Sequence, residues 1–376
     1  MNRIKILFDL RFFHPGASGG IENYAYFAVD AIKELDVDIY IEIPYESSAF
    51  YKNRFTFLSE DKFIIDPLQK FISQIICLLT FGKKTGICIR RQIKNYEKRF
   101  DFVFYPFHMM KPLHNHTKII AVFHAFLPET YDEEFRIAQS LVPASTALIT
   151  SWNYPMQEFL KFFPERKSDW FLIPFISAHN LEGKSDQVNE VMNKKYFLYV
   201  SFFGERKNHK RLIESYKLAY DKNKDLPLLV LVGGGIEEIK KSIRKRILKL
   251  KLAEKVFIHD YLPDSKINFL YKNCYGVIAP SLWEAASGAV LEGVYSGKPI
   301  LCSNIPPLTD FAEYFKLQTL FFDPLNINDM AEKIIVFCEK YDHYNSFSES
   351  NAEKLKHIGH EHYAEKFEKI LKKYSE

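Results

Sequence analysis

Residues 280–299 read PSLWEAASGAVLEGVYSGKP, and this stretch contains the transition on which the fold depends. The apolar run that ends near Ser281 predicts the end of a β-strand, the small residues after it predict a turn, and the pattern from Ala289 predicts a helix. Small side chains let a ligand approach the backbone closely, and the start of a helix offers unpaired N–H groups and a positive dipole end. The stretch is therefore typical of a strand-to-helix turn that binds a phosphate.

Two glutamates lie in this stretch, Glu284 in the turn and Glu292 about one turn inside the predicted helix. A carboxylate beside sugar hydroxyls accepts their hydrogen bonds, and a second carboxylate one helical turn away can do the same for a ribose. The alternative is that Glu292 is a first-turn acid favoured by the helix dipole and that Glu284 is a surface residue. Spacing alone leaves these two interpretations even.

Strand-like apolar runs alternate with helical stretches on both sides of this turn. The runs are residues 5–10, 38–43, 101–107, 118–124 and 146–151 in the first half, and 196–201, 226–235, 255–261, 275–281, 298–304 and 319–324 in the second. Such repeats predict parallel sheets that are covered by helices on both faces. The sequence therefore predicts an α/β protein of two tandem Rossmann-like, doubly wound domains that face each other across a cleft.

A polar, charged segment divides the two halves of the chain. We expect an N-terminal domain over residues 1–183, a linker over 184–194 and a C-terminal domain over 195–350. The tail, residues 351–376, is a charged helical stretch that we expect to pack back on the N-terminal domain. Two domains also agree with the chain length of 376 residues, since domains average about 150 residues.

Composition excludes several classes of protein. The formal net charge of +4 is too weak for a dedicated nucleic-acid-binding protein. The five cysteines are odd in number and none are at Cys-x-x-Cys spacing, which argues against a disulfide framework and a structural zinc site. The longest apolar run, residues 71–81, is too short to cross a bilayer. We expect a cytoplasmic protein. Peripheral contact with the inner face of the membrane stays open for two segments. For residues 71–81 the alternative is a buried helix, and for the basic stretch 240–255 it is a solvated helix face.

Two further strand-to-helix turns have the composition of anion sites. In FLYVSFFGERKNHKRL, residues 197–212, the loop after the strand carries Arg206, Lys207 and Asn208. In PGASGGIEN, residues 15–23, Gly19 and Gly20 let the backbone approach an anionic group. Taken alone, a solvated basic loop is the better interpretation of the first turn, and the Gly-Gly turn is a weak signal because such turns are common.

Together these elements resemble the retaining glycosyltransferase family 4. Glu284 and Glu292 stand in the Glu-x7-Glu arrangement of that family, and the surrounding block is similar to its signature throughout. Four more segments resemble family elements: residues 199–208 the donor-phosphate loop, 9–24 the N-terminal glycine loop, 122–126 the end of the central strand, and 259–274 the approach to the nucleotide pocket. The matches come in the family's order and are densest from 196 to 325.

The resemblance implies a glycosyltransferase-B fold in which the C-terminal domain holds a nucleotide-sugar and the N-terminal domain lies on the acceptor side. Arg206 and Lys207 would neutralise the donor diphosphate, Glu284 would bind hydroxyls of the transferred sugar, and Glu292 would bind the ribose. His124 would lie near the reacting sugar and the acceptor. The other implied donor-binding residues are Gly19, Gly20, Asn208, Tyr261, Leu262, Ser287, Gly288, Ala289 and Val290. The family works without a metal or a resident cofactor and retains the anomeric configuration.

This chain departs from the family pattern in three places. Ala285 and Ala286 follow the first glutamate, where the family often has Gly and an aromatic residue, so the identity of the sugar cannot be carried over. Ser201 replaces a glycine after the first strand of the second domain. Ala125 follows His124 in place of the usual Asp, so the imidazole lacks the neighbouring acid that would hold it differently.

The resemblance implies transfer of a sugar from a nucleotide diphosphate-sugar to a glycan or lipid-linked glycan acceptor, in surface polysaccharide or lipopolysaccharide synthesis. Two alternatives stay open: a nucleotide-sugar epimerase on the same fold, and a catalytically silent protein that binds nucleotide-sugars. An acceptor-lining role for His108 is also left open.

Overall fold

The computed structural model describes residues 3–13, 15, 20–79, 99–110, 112–113, 117–124, 131–175, 183–285 and 287–375. The chain divides into two compact units. Unit 1 comprises Met1–Phe175 and Ile358–Glu376, and unit 2 comprises Ile176–His357. The predicted site residue Gly19, and Ala125 and Ala286 of the departures, lie outside the described residues.

The described part of unit 1 contains a parallel sheet of seven strands in the order β3-β2-β1-β4-β5-β6-β7. The strands are β1 (Ile4–Asp9), β2 (Val37–Glu42), β3 (Phe63–Ile64), β4 (Phe102–Tyr105), β5 (Lys118–Val122), β6 (Ala147–Thr150) and β7 (Trp170–Leu172). The helices between them are α1 (Gly20–Ile32), α2 (Ser48–Arg54), α3 (Pro67–Leu79), α4 (Tyr131–Ala144) and α5 (Asn153–Leu160). Consecutive residues of β1, Ile6 to Phe8, are fully buried, as expected for a parallel strand with helices on both faces.

The described part of unit 2 contains a parallel sheet of six strands in the order β10-β9-β8-β11-β12-β13. Its strands are β8 (Tyr196–Val200), β9 (Leu228–Val232), β10 (Val256–His259), β11 (Gly276–Ala279), β12 (Ile300–Ser303) and β13 (Leu320–Phe322). Its helices are α6 (His209–Lys222), α7 (Glu237–Lys249), α8 (Asp264–Asn273), α9 (Gly288–Tyr295), α10 (Pro306–Tyr314), α11 (Ile327–Glu339), α12 (Tyr341–Ser346) and α13 (Ser348–Lys356). The predicted fold class, two tandem doubly wound α/β domains, is confirmed in both units.

The last helix, α14 (His360–Tyr374), belongs to unit 1 and packs on α1. The hydroxyl groups of Tyr363 and Tyr24 lie 2.7 Å apart in the core, and the ring of Phe367 packs on Phe104. This helix carries its apolar residues on one face, so it contributes side chains to the core of unit 1 although it is far from that unit in sequence.

The boundaries of the units differ from those predicted. The first division lies between Phe175 and Ile176, and the chain returns to unit 1 at Ile358, after α13. The segment predicted as a linker, residues 184–194, packs on unit 2: Ser265 donates a hydrogen bond to Asp186 at 2.8 Å, and the side chain of Val191 is buried. Its polar composition reflects a surface position, which a linker and a packed edge segment share.

Candidate functional site

The strand order of unit 2 reverses between β8 and β11, which are neighbours in its sheet. In open parallel sheets this switch point leaves a crevice beyond the carboxyl ends of the two strands, where ligands bind. The segment 201–208 follows β8 and the segment 280–287 follows β11. Topology therefore brings together the basic loop and the glutamate turn, although more than 70 residues separate them in sequence.

Lys207 and Glu284 form an ion pair at this switch point, with 2.5 Å between Nζ of the lysine and Oε1 of the glutamate. The side chains are 14% and 4% exposed, so the pair is largely removed from water. Ser281 donates a hydrogen bond to the same carboxylate oxygen at 2.5 Å. Glu284 is therefore not a surface residue, and Lys207 is not on a freely solvated loop.

Tyr199, near the end of β8, contacts both the segment 201–208 and the segment 280–287. Its hydroxyl oxygen lies 2.9 Å from that of Ser281, and it donates to the backbone carbonyl of Lys207 at 3.3 Å. Burial, and then the negative charge of Glu284, raises the pKa of the Tyr199 hydroxyl, so it stays protonated and can donate. Tyr199 and Ser281 were not predicted from the sequence as site residues. A polar residue near the end of each switch-point strand is the signal that could have identified them.

Arg206 and Asn208 flank the lysine in different ways. The carbonyl of Arg206 accepts from the backbone N–H of Leu282 at 2.8 Å, and its guanidinium lies over the Trp283 ring, 5.8 Å from the centroid. Asn208 has the left-handed φ of 58°, a conformation that Asn tolerates well. Its side-chain amide donates to the carbonyls of Pro280 at 2.9 Å and Pro324 at 2.8 Å. Asn208 therefore fixes the loop against the turn, and its contact with a donor stays a prediction.

Helix α9 begins at Gly288, with Ser287 as the residue before its first turn. The side chain of Ser287 makes no capping hydrogen bond, and the first N–H groups of any helix have no partner within it. The side chains of Ala289 and Val290 are buried, whereas Gly288 is exposed. This helix start therefore offers backbone N–H groups and a positive dipole end to an anion, as the sequence predicts.

Glu292 is the fifth residue of α9, beyond its first turn, and it is buried. One carboxylate oxygen lies 4.0 Å from the position that a Cβ atom on Gly288 would take, so the side chain points back to the start of the helix. Burial, and then the charge of Glu292, raises the pKa of the Tyr271 hydroxyl well above its ordinary value. The interpretation of Glu292 as a first-turn acid is therefore wrong.

His209, the first residue of α6, was not singled out by the sequence analysis. Its Nε2 atom lies 3.1 Å from the Ser201 hydroxyl, and its ring stacks on Phe203 with 4.2 Å between centroids. Burial, and then the positive charge of Lys207, lowers the pKa of His209 to about 3. The imidazole is therefore neutral at pH 7 and adds no charge to the loop, so the positive charge is confined to Arg206 and Lys207.

Tyr261 and Leu262 follow β10, two strands away from β8 in the same sheet. Tyr261 is 82% exposed and Leu262 is partly exposed. Two strand spacings correspond to about 10 Å, which suits the distance between the phosphates and the base of an extended nucleotide. Their predicted contact with the donor stays a prediction.

Unit 1 places its predicted residues at the carboxyl edge of its own sheet. Gly20 is the first residue of α1, and His124 follows β5. The rings of His124 and Tyr24 of α1 are 5.0 Å apart, edge to face. Nε2 of His124 lies 3.1 Å from the Pro106 carbonyl, which can only accept, so this nitrogen carries the proton. Burial, and then His108, lowers the pKa of His124 to about 4, so the ring is neutral at pH 7.

A buried ion network that the sequence analysis missed lies at the end of β1. Arg11 contacts Asp9 at 3.0 Å and Glu42 at 2.9 Å, and all three side chains are fully buried. Burial opposes the charge of Arg11, but the two carboxylates outweigh it and raise the pKa of the guanidinium. The network fixes the backbone where the predicted glycine loop begins. The sequence signal for this network was Arg11 itself, an arginine in an apolar stretch, which needs a carboxylate partner if it is buried.

In the part of the chain that the structure describes, no group of three His, Cys, Asp or Glu side chains is arranged to hold a metal ion. None of the helices formed by the described residues has the length and apolar character needed to cross a membrane.

Residues 182–354 match the family model described as glycosyl transferases group 1. The O-antigen chain mannosyltransferase RfbU of Salmonella typhimurium is 27% identical over 147 residues, which are 39% of this chain and 39% of RfbU. O-antigen chain mannosyltransferase B of Escherichia coli is 25% identical over 190 residues, which are 50% of this chain and 47% of that protein. The matches therefore span less than half the length of these two relatives.

The fold is similar to that of Anabaena Alr3699/HepE, crystallised in complex with UDP and glucose. The TM-score is 0.72 over 99% of this chain and 100% of that chain, with 13% sequence identity. At this identity the likeness concerns the fold alone, and it confirms the glycosyltransferase-B fold class predicted from the sequence.

Proposed function

We propose that this chain, whose residues 182–354 match the family model of the glycosyl transferases group 1, transfers a sugar from a nucleoside diphosphate sugar to a glycan or lipid-linked glycan acceptor. The observation that carries the proposal is the meeting of Lys207, Glu284 and the start of α9 at the switch point of unit 2. A cation, a carboxylate and exposed backbone N–H groups are the groups needed for a diphosphate attached to a polyhydroxyl compound. The two O-antigen mannosyltransferases among its relatives support a role in surface polysaccharide or lipopolysaccharide synthesis.

The chemistry of this arrangement is stabilisation of the leaving group. When the bond between the sugar and the diphosphate breaks, negative charge grows on the phosphate oxygens. In the proposed complex Lys207 and the first N–H groups of α9 would face the diphosphate, so no reorganisation would be needed where that charge develops. A cation about 4 Å from a full charge contributes about 4 kcal/mol at an effective dielectric constant near 20.

Glu284 is proposed to bind hydroxyls of the transferred sugar and Glu292 those of the ribose. Both carboxylates are buried, and they lie on the same turn-and-helix segment as the proposed phosphate contacts. An ionised carboxylate has acceptor positions beyond its contacts within the fold, and the hydroxyl donors of a sugar are suitable partners for them.

We also propose that the transfer retains the anomeric configuration and needs no metal ion. Arg206, Lys207 and the helix dipole can supply the positive charge that a divalent cation supplies at other diphosphate sites, which supports transfer without a metal. Retention is supported by the resemblance of the Glu284 and Glu292 segment to a retaining family. The roles of Gly20 and His124 in unit 1 stay predictions. A lipid-linked acceptor would place the reaction at the cytoplasmic face of a membrane.

Incubation with a panel of nucleoside diphosphate sugars tests the proposal. Release of the nucleoside diphosphate that depends on an added acceptor glycan or lipid-linked glycan supports transfer, and nuclear magnetic resonance of the product then gives the anomeric configuration. A new nucleotide-sugar epimer formed without an acceptor would identify an epimerase. Donor binding without any turnover across the acceptor panel would favour a silent binding protein.

A further inference from the structure

His124 is held at two points by the segment that follows β4. Nε2 of its ring lies 3.1 Å from the Pro106 carbonyl, and its backbone N–H donates to Nδ1 of His108 at 3.5 Å. A carbonyl oxygen can only accept, so the proton of the His124 ring is on Nε2 and its Nδ1 has a lone pair. The ring is partly exposed, and no described residue donates to this Nδ1. The segment therefore fixes both the place of His124 and the nitrogen that it offers to a ligand.

His108 is enclosed in the core of unit 1. Its side chain is 1% exposed, and its ring stacks on Phe123 with 5.8 Å between the centroids. The ring of Phe159 meets it edge to face, with 6.0 Å between the centroids. A ring packed in this way has no open face for a sugar, so His108 can act on a ligand only through the residue that it holds.

Glu134, in the first turn of α4, faces the other side of the His108 ring. Nδ1 of His108 accepts from a backbone N–H, so the proton of this ring is on Nε2, which lies 3.5 Å from Oε2 of Glu134. The side chain of Glu134 is 2% exposed, whereas Asp132 and Glu133 of the same turn are exposed. A buried carboxylate is costly without partners, so its place beside the histidine is a specific feature of this helix.

We propose that His108 and Glu134 are positioning residues, which hold His124 so that its Nδ1 accepts a hydrogen bond from a substrate hydroxyl. The residue after His124 is Ala125, which supplies no acid, and Glu134 supplies one from α4 by way of His108. An unprotonated nitrogen accepts from a hydroxyl, whereas an ionised phosphate has no proton to donate to it. The inference rests on the proposed function, because the hydroxyl belongs to a sugar or glycan at the carboxyl edge of the sheet of unit 1.

A purely structural pair is the alternative to positioning. If His108 and Glu134 only stabilise unit 1, their loss lowers the thermal midpoint and leaves the tautomer of the His124 ring unchanged. If they position His124, their loss changes that ring, and a replacement that keeps the lost acceptor restores it. The tautomer and the effect of conservative replacements therefore separate the two roles.

The test uses two pairs of variants in the whole chain. His108→Phe keeps an aromatic ring against Phe123 but offers no acceptor to the N–H of His124, whereas His108→Asn carries an amide oxygen that can accept. In the same way Glu134→Leu removes the acceptor that faces His108, and Glu134→Gln keeps an amide oxygen there. Each pair thus contains one variant that breaks the proposed contact and one that preserves it.

Arg166→Gln is the matched control for a loss of stability. Arg166 donates to the carbonyl of Val142 at 2.8 Å, in the last turn of α4, so its loss weakens the helix that carries Glu134 at the opposite end. Nuclear magnetic resonance of protein with isotope-labelled histidine ring nitrogens gives the tautomer of His124, whose signals are identified by their absence from His124→Gln. Thermal midpoints and kcat/KM for sugar transfer are measured in parallel.

We expect His124 of the wild type to show one tautomer, with the proton on Nε2. His108→Phe and Glu134→Leu should give a mixture of tautomers and lower kcat/KM about tenfold, the effect of losing one hydrogen bond. His108→Asn and Glu134→Gln should keep the tautomer and stay within about threefold of the wild type. Arg166→Gln should lower the thermal midpoint and leave His124 as in the wild type.

A single unchanged tautomer in both His108→Phe and Glu134→Leu would overturn the proposal. A changed tautomer in Arg166→Gln would also overturn it, because the effect would then follow stability, and so would equal losses in the two members of each pair. The tautomer is measured without donor or acceptor. A chain that transfers no sugar therefore contradicts the proposed function, while the tautomers still decide whether His108 and Glu134 position His124.

Discussion

Replacing Lys207 by alanine removes the cation that lies 2.5 Å from Glu284 at the switch point of unit 2. If the diphosphate of the donor takes up a position about 4 Å from this cation, a full unit of developing charge gains about 4 kcal/mol at an effective dielectric constant near 20. Charge develops only in part by the transition state, so a loss of about a hundred- to a thousandfold in turnover is expected. The measurement is release of nucleoside diphosphate at saturating donor and acceptor.

The same substitution also leaves the carboxylate of Glu284 buried without its cation, which destabilises the fold. The double variant Lys207→Ala/Glu284→Gln removes the stranded charge, so its thermal midpoint should recover while its turnover stays low. Arg246→Ala is a control, because it breaks an ion pair with Glu214 in the same unit between α6 and α7. Wild-type turnover in a folded Lys207→Ala protein would refute the role of this residue in leaving-group stabilisation.

Three further predictions follow from the contacts of unit 2. Glu292→Gln weakens a hydrogen bond to the ribose, so the donor KM should rise about tenfold with kcat nearly unchanged in steady-state kinetics; an unchanged KM would count against ribose binding. Glu284→Gln removes the anion that competes for Lys207, so calorimetry should show tighter binding of the nucleoside diphosphate while turnover of the sugar donor falls; equal weakening of both would contradict this. The pKa of His209 is lowered to about 3 in the fold, so between pH 3 and 6.5 the histidine binds a proton in the unfolded state but not in the folded state. Its contribution to the free energy of unfolding is therefore complete above about pH 6.5 and is lost as the pH falls towards 3. His209→Gln should therefore reduce the slope of unfolding free energy between pH 4 and 6 by about 1.4 kcal/mol per pH unit, measured by urea denaturation; an unchanged slope would show that this histidine is not the group concerned.

Local pattern was sufficient to predict the strand-to-helix turn around Glu284. Small residues between an apolar run and a helical pattern have few other interpretations, and the helix starts at Gly288, one residue before the predicted Ala289. The family resemblance implied only that Lys207 and Glu284 contact the same donor, and their direct pairing was not predicted. It depends on β8 and β11 being neighbours in the sheet, and no local pattern contains that information.

The residues that the sequence analysis missed share a physical reason. Tyr199 and Ser281 each look like an ordinary strand-end residue, and they become a network only when the register of two distant strands brings their hydroxyls together. Arg11 likewise requires Glu42 from the neighbouring strand β2. The tail packs on unit 1 as expected, whereas the division after Phe175 was missed because the polar composition of residues 184–194 suits both a linker and a packed surface segment.

If Lys207 is the catalytic cation proposed above, its ion pair with Glu284 explains how the charge can be held in a nearly dry site before the donor arrives. A lone lysine there would be costly, and it would be drawn towards water or lose its proton. Pairing with Glu284, which is itself held by Ser281, keeps the charge in position. When a diphosphate takes over the lysine, Glu284 needs new donors, and the hydroxyls of the attached sugar can supply them. A nucleoside diphosphate without its sugar leaves that carboxylate short of a partner. If the donor binds as proposed, the two residues favour the intact donor over the product of its cleavage, which would promote release of the nucleoside diphosphate after transfer.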